Sequence, residues 1–245
     1  MTKVSIQRKN EGKSTIEKGL SQKPLLPGAS NDVEIYQCKL DAKNKIIPEL
    51  FKYEDKIQFF FFTNASGYVA TDSIAHNITD KAVYVPDYDR EPFFIQAGEE
   101  DLNFVHFIGK QNKIDVDMMN ECHIVLPRFR LLKDSWRYTE GFTGDAGSNV
   151  KSHMVLEHEY FGRYSMGWNC GTGPTFIGEH THPDLEQWYY GLDDTEFYYI
   201  AGDEEYEFQG GDISHTVIGT PHGSKSDAGK KIDYVWFELA TNGYL

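Results

Sequence analysis

The chain has 245 residues, 40% of them hydrophobic and 14% aromatic, enough to bury one large core or two small ones. Its formal net charge of -14, with no Lys/Arg-rich stripe, argues against nucleic acid or anionic membrane as partners, because phosphate recognition needs basic patches. Apolar runs such as Phe59 to Phe62 are far too short to cross a bilayer, and the N-terminus lacks the apolar core of a secretory signal. Cys38, Cys122 and Cys170 are widely spaced and odd in number, so neither a disulfide framework nor a CxxC site is expected; a reducing cytoplasm is the expected setting.

Residues 1–32 are polar and close on KPLLPGASND, which reads as a mobile arm or a tail draped over a neighbour. From Val33 the pattern changes to short β-branched and aromatic runs broken by turn signals every ~8–12 residues. VEIYQCKL, KIQFFFFT, GYVATDSI, KAVYVPD and DLNFVHFIG fill the stretch 33–115. The span 116–150 is less regular and ends in Gly, Asp and Ser, which predicts a linker carrying one short helix. RYSMGW, EQWYYGL, TEFYYIAG, YEFQGGD, SHTVIG and IDYVWFELA follow within 151–245. Strands this short and frequent predict an all-β chain, a sandwich or barrel.

The two strand-rich stretches resemble each other. Gln187-Trp188-Tyr189-Tyr190 lies over Gln58-Phe59-Phe60-Phe61 at an offset of 187 − 58 = 129, and Pro221-His222 falls on Pro92-Phe93 at the same offset. Ile232 to Phe237 falls on Leu102 to Phe107 at 232 − 102 = 130. Three matches in one order predict a duplicated barrel.

The chemistry-bearing stretch is Gly178-Glu179-His180-Thr181-His182-Pro183-Asp184-Leu185-Glu186-Gln187-Trp188. Residues i and i+2 of a strand share a face, so His180 and His182 point together. After the Pro183-Asp184 turn a returning strand could aim Glu186 at the same point, and His222 offers a further imidazole. Three imidazoles and a carboxylate suit one divalent transition metal per chain: Fe, Mn, Ni, Co, Cu or Zn.

These residues resemble the cupin superfamily, whose motifs are G(X)5HXH(X)3-4E(X)6G and G(X)5PXG(X)2H(X)3N. The first is matched at His180, His182 and Glu186, with its glycines displaced. The second is matched at Gly211, Gly219 and His222, with Val217 for proline and Ser226 for asparagine. The resemblance implies two tandem cupin (jelly-roll, double-stranded β-helix) barrels: a metal-free one at 33–115 and a metal-binding one at 151–245. It thus implies a bicupin with a single intact metal site, in its C-terminal half. At offset 129 the ligand positions map to Phe51, Tyr53, Ile57 and Phe93, none of which could serve as the corresponding ligand.

Other polar residues have blander explanations. His215 reads as a strand residue outside the ligand set. His153, Glu157 and His158 look like a second ligand cluster but are equally explained by strand alternation and exposure. His76, His106 and His123 read as structural. By alternation from Glu186, Trp188 and Tyr190 are the pocket residues, with Arg163 as a carboxylate clamp or an exposed side chain. Such a site supports dioxygenase chemistry on a small oxygenated metabolite, which is narrowly favoured, or redox-neutral isomerase, epimerase, lyase or hydrolase chemistry. Non-catalytic small-molecule binding is the third alternative. A homodimer is expected, since such barrels leave sheet edges that pair with a copy of themselves.

Overall fold

The computed structural model describes residues 4–139, 141 and 148–244. The strands run β1 (Val4–Gln7), β2 (Thr15–Glu17), β3 (Leu20–Leu25), β4 (Val33–Leu40), β5 (Lys45–Ile46) and β6 (Lys56–Phe62). Next come β7 (Tyr68–Thr71), β8 (Ala75–Asn77), β9 (Ala82–Val85), β10 (Phe93–Gln96), β11 (Leu102–Lys110), helix α1 (Lys113–Glu121) and β12 (Arg128–Leu131). The series continues with β13 (Trp136–Tyr138), β14 (Lys151–Phe161), β15 (Tyr164–Thr172), β16 (Thr175–His180), β17 (Leu185–Gly191) and β18 (Glu196–Ala201). It ends with β19 (Glu204–Gln209), β20 (Ile213–Thr216), β21 (His222–Ser226) and β22 (Lys231–Ala240).

The chain divides into two compact units, one of residues 12–134 and one of residues 135–245 together with 1–11. Each unit pairs a seven-stranded sheet with a four-stranded one. The first has the orders β12-β9-β6-β11-β4-β3-β2 and β5-β10-β7-β8; the second has β1-β20-β17-β22-β15-β14-β13 and β16-β21-β18-β19. The two sequences of neighbours are the same position for position, so the duplication extends to topology. We call the units the N-terminal and C-terminal barrels.

In the N-terminal barrel β6 is buried on both faces. Phe60 and Phe62 join Phe93, Phe104 and Tyr84 in the core, and Phe59 and Phe61 are buried too. In the C-terminal barrel the core gathers Tyr189, Phe197, Tyr199, Tyr234 and Trp236. Burying rings of this size is the main favourable contribution to each half.

The polar stretch 1–32 is not an arm. β1 adds an antiparallel edge to β20, with Val4 opposite Thr216 and Gln7 opposite Ile213, and Val4 is buried in the C-terminal core. Asp212 holds it there, accepting from Arg8 Nη1 at 2.8 Å and from the Lys9 backbone N–H at 2.9 Å. β2 and β3 extend the other sheet beside β4. The span 116–150 does carry a helix, α1, started by a capping box between Asn112 and Asp115. It also supplies β12 to one barrel and β13 to the other; its residues 140 and 142–147 lie outside the described residues. No described helix is long and apolar enough to cross a membrane.

Candidate metal centre

β16 and β21 run antiparallel with His180 opposite His222. Between Ile177 and His180 the pairing slips by one residue, a bulge that re-aims the end of β16. The bulge presses on Gly223, where a Cβ would stand 2.8 Å from the Ile177 carbonyl oxygen, so only glycine fits beside His222. Gly219, at φ +74, turns the chain ahead of β21 and donates its N–H to the His182 carbonyl at 2.9 Å, tying the two histidine segments together.

One ring nitrogen each from His180, His182 and His222 lies within 4.8 Å of the others. Their protons can be placed by chemistry. A carbonyl only accepts, so His180 Nδ1 carries the proton that it gives to the Gly178 carbonyl at 2.8 Å, and His222 Nδ1 the one it gives to Thr220 at 2.9 Å. Each Nε2 therefore keeps its lone pair. His182 Nε2 is buried and has no hydrogen-bond partner. Burial pushes the imidazole pKa down to about 4 at His180 and to about 3 at His222, where the neighbouring His180 adds to the effect; burial lowers that of His182 as well. All three are neutral at pH 7, the form that ligates metals.

Glu186 does not join them. β17 pairs with β22 so that Gln187 stands opposite Glu238, and alternation then points Gln187 and Tyr189 into the cavity. Glu186, Trp188 and Tyr190 fall on the other face. There Glu186 Oε2 lies 3.1 Å from His215 Nε2, and Trp188 stacks on the same imidazole at 4.7 Å. Arg163, buried at the β14–β15 turn beside the Tyr164 ring, does not line the cavity either. The expected carboxylate ligand and all three expected substrate residues are thus displaced from the site, by one residue of register in the case of β17. The longer of the two spacings that the first motif allows falls on Gln187.

Gln187 is poised between two partners. Its Nε2 donates to Glu238 Oε2 at 3.2 Å, which turns its Oε1 toward His222 Nε2 at 2.8 Å. Two lone pairs facing each other at that distance repel unless a cation or a proton lies between them, and a proton is disfavoured by the lowered pKa of His222. The donor set and the orphaned His182 Nε2 fit a divalent transition metal held by His180, His182 and His222 beside the Gln187 amide oxygen.

Glu238 is the residue that sequence reasoning missed. It is 3% exposed, next to the histidines, and its Oε1 receives Ser165 Oγ at 2.8 Å, His158 Nε2 at 3.1 Å and the Tyr244 hydroxyl at 3.1 Å. Burial alone would raise its pKa, but the His158 and Ser165 hydrogen bonds and the nearby imidazoles outweigh it and bring the carboxyl below its ordinary value. It stays ionised at neutral pH. His158, read above as a solvated strand residue, is half exposed and stacks on Tyr244 at 4.5 Å, linking the carboxylate to solvent. An acid inside the otherwise apolar run YVWFELA was the available signal. The cavity that holds these groups has a volume of about 200 Å³.

No family model matches the sequence, and no curated protein matches it. Solved structures do. A glyoxylate-induced protein from Pseudomonas aeruginosa is similar over 100% of this chain and 91% of its own, with a TM-score of 0.78 at 11% identity. Protein Ylba from E. coli matches over 99% and 92%, with a TM-score of 0.75 at 12% identity. Oxalate decarboxylase from Bacillus subtilis, a protein with Mn(II) centres, matches over 98% and 78%, with a TM-score of 0.69 at 12% identity. At such identities the likeness is one of fold.

Proposed function

On a cupin fold of two barrels, which the sheets and the solved structures show, we propose that the C-terminal barrel is the active site of a metal-dependent enzyme that moves a proton on a small oxygenated metabolite. The observation that carries this reading is the ionised, buried Glu238 beside three neutral imidazoles. When bound, a divalent metal supplies positive charge that stabilises negative charge on a chelating carbonyl or carboxylate oxygen. The Mn(II) centres of the oxalate decarboxylase, on the same fold, make manganese the first metal to test.

The chain's own groups do the rest. The cavity, at about 200 Å³, is smaller than the ~300–1,000 Å³ of pockets for drug-sized ligands, so the substrate is a compound of few atoms. Tyr189, Trp236 and Ile177 supply its apolar wall. Glu238 accepts the proton from a carbon or hydroxyl beside the substrate's carbonyl, held in place by Ser165 and Gln187. His158, which donates Nε2–H to Glu238 on one side and is half exposed on the other, steadies the carboxylate. The sequence alone tilts toward oxidative cleavage; the buried base tilts the site toward isomerisation, epimerisation or elimination.

The test begins with metal analysis of the purified chain, where one equivalent per chain is expected. His180→Ala, His182→Ala and His222→Ala lose it, whereas Glu186→Ala keeps it. A screen of small α-hydroxy and α-keto acids in D₂O, run without oxygen, should then show deuterium exchange that depends on both metal and Glu238. Turnover that instead requires and consumes dioxygen would replace proton transfer by dioxygenase chemistry, and loss of metal in Glu186→Ala would redraw the ligand set.

A further inference from the structure

The N-terminal barrel has a cavity of its own, open at the end where β6, β11 and β4 present Gln58, His106 and Tyr36, with a volume of about 790 Å³. That is within the range that takes a drug-sized organic ligand. At its floor the Gln58 amide donates through Nε2 to the Glu49 carbonyl at 2.9 Å, which fixes Oε1 as the atom facing His106 Nε2 at 3.1 Å. The amide oxygen can only accept, so the imidazole proton sits on Nε2 and Nδ1 is left with a lone pair. Among the described residues no hydrogen bond is made to Nδ1. The imidazole lies flat on Phe60, centroids 4.2 Å apart and planes 13° from parallel.

The walls are mixed. Phe51, Tyr36, Phe104 and Ile108 supply apolar surface. The charges at the rim balance, Glu17, Glu34 and Glu49 against Lys18, Lys45 and Lys56. Several are already engaged: Glu34 accepts from the Tyr36 hydroxyl at 2.9 Å and lies 3.5 Å from Lys56, and Lys45 sits 3.5 Å above the Phe94 ring. A fixed acceptor, a stacked floor and a neutral rim select an uncharged flat ring that brings its own donor.

We propose that the open end of the N-terminal barrel is a second, metal-independent binding site for a neutral hydroxy-aromatic compound, whose hydroxyl donates to His106 Nδ1 and whose ring packs among Tyr36, Phe51 and Phe104. The site is independent of the chemistry assigned to the C-terminal barrel. It replaces a metal by a hydrogen-bonded imidazole as the group that orients the ligand.

Calorimetric titration of the metal-loaded full chain with 2-naphthol tests this, with 2-methoxynaphthalene as the ring that lacks a donor. 2-Naphthol should saturate one site per chain, and the methyl ether should bind about tenfold more weakly, the worth of one hydrogen bond. His106→Phe should weaken 2-naphthol by a similar factor, while His182→Ala, which tests the other barrel, should leave it unchanged. Ile108→Trp, at the position paired with Gln58, fills the cavity while keeping His106 in place and should abolish binding, so the answer stands even where His106→Phe does not fold. Absence of saturation, equal affinity for the two probes, or binding lost in His182→Ala and kept in Ile108→Trp would each overturn the proposal.

Discussion

The two barrels share one strand order and part company in what they enclose. A glutamine stands at the same place in each, Gln58 on β6 and Gln187 on β17, 129 residues apart. In the N-terminal barrel its amide oxygen accepts from an imidazole N–H and the interaction is complete. In the C-terminal barrel the same oxygen faces a bare imidazole nitrogen and the interaction calls for a cation. Beside the glutamine, the paired strand offers Ile108 in one barrel and Glu238 in the other. Where β10 buries Phe93, β21 presents His222. A barrel's sheets therefore decide where a site can be, and three or four side chains on its inner face decide whether it is a metal centre or an organic pocket.

The sharpest way to break this comparison is Glu238→Gln. It keeps the shape and removes the charge that Ile108 never had, so turnover should fall ~10²–10⁴-fold with metal content unchanged. If the metal is lost instead, Glu238 is a ligand and the division between holding the metal and moving the proton fails. Next in size is Phe93→Ala. Phe93 is 2% exposed and packs edge-on to Phe60 at 5.5 Å, so its loss should cost ~3–5 kcal/mol in denaturant unfolding. Metal content per folded chain should match the parent, in contrast to His222→Ala.

A smaller loss is expected at the edge strand. Asp212→Ala removes the buried acceptor shared by Arg8, Lys9 and the Gln209 N–H, and should cost ~1–3 kcal/mol. Hydrogen exchange should rise first in β1 and β20, and an unchanged exchange pattern would show the strand to be held by its ladder alone. The smallest effect is a pH slope. Burial pushes the His106 pKa down to about 3, so the unfolded chain takes up a proton that the folded chain refuses. Stability should fall as pH drops from ~6.5 toward 3, by about 1.4 kcal/mol at pH 5.5 from this group. Subtracting the profile of His106→Phe isolates it; identical profiles would mean the imidazole is hydrated in the folded state.

Much of the fold was legible because alternation is a local signal. The β4 run VEIYQCKL and the matched β11 and β22 runs lie where their patterns put them. The repeat offset held for Phe93 and His222 and for the two glutamines, because those sit on equivalent strands. It failed for Tyr53, which lies outside the strands beside Tyr88 and bonds Asn120. It held for Ile57 and Glu186, each on the face of its strand opposite the glutamine, so neither lines its cavity. The connection from β5 to β6 is longer than that from β16 to β17, and no single offset spans both. The three histidines were legible from spacing. The inward face of β17 was not, because after the Pro183-Asp184 turn nothing local says which parity meets the cavity. That parity is set by β22, some fifty residues on. β1 was illegible for the same reason: VSIQ is four residues whose partner lies on β20.

That short strand changes how the halves are connected. Because residues 1–11 belong with 135–245, the N-terminal barrel is an insertion within the C-terminal one, and the chain passes between them twice, at 11–12 and at 134–135. A single cut at either joint does not free one half from the other by covalent chemistry alone. After cleavage near 134, the fragments remain clasped by β1 on β20 and by Arg8 on Asp212. Co-purification of two nicked pieces would then report on that clasp, and their separation would need the four-residue strand to be peeled away.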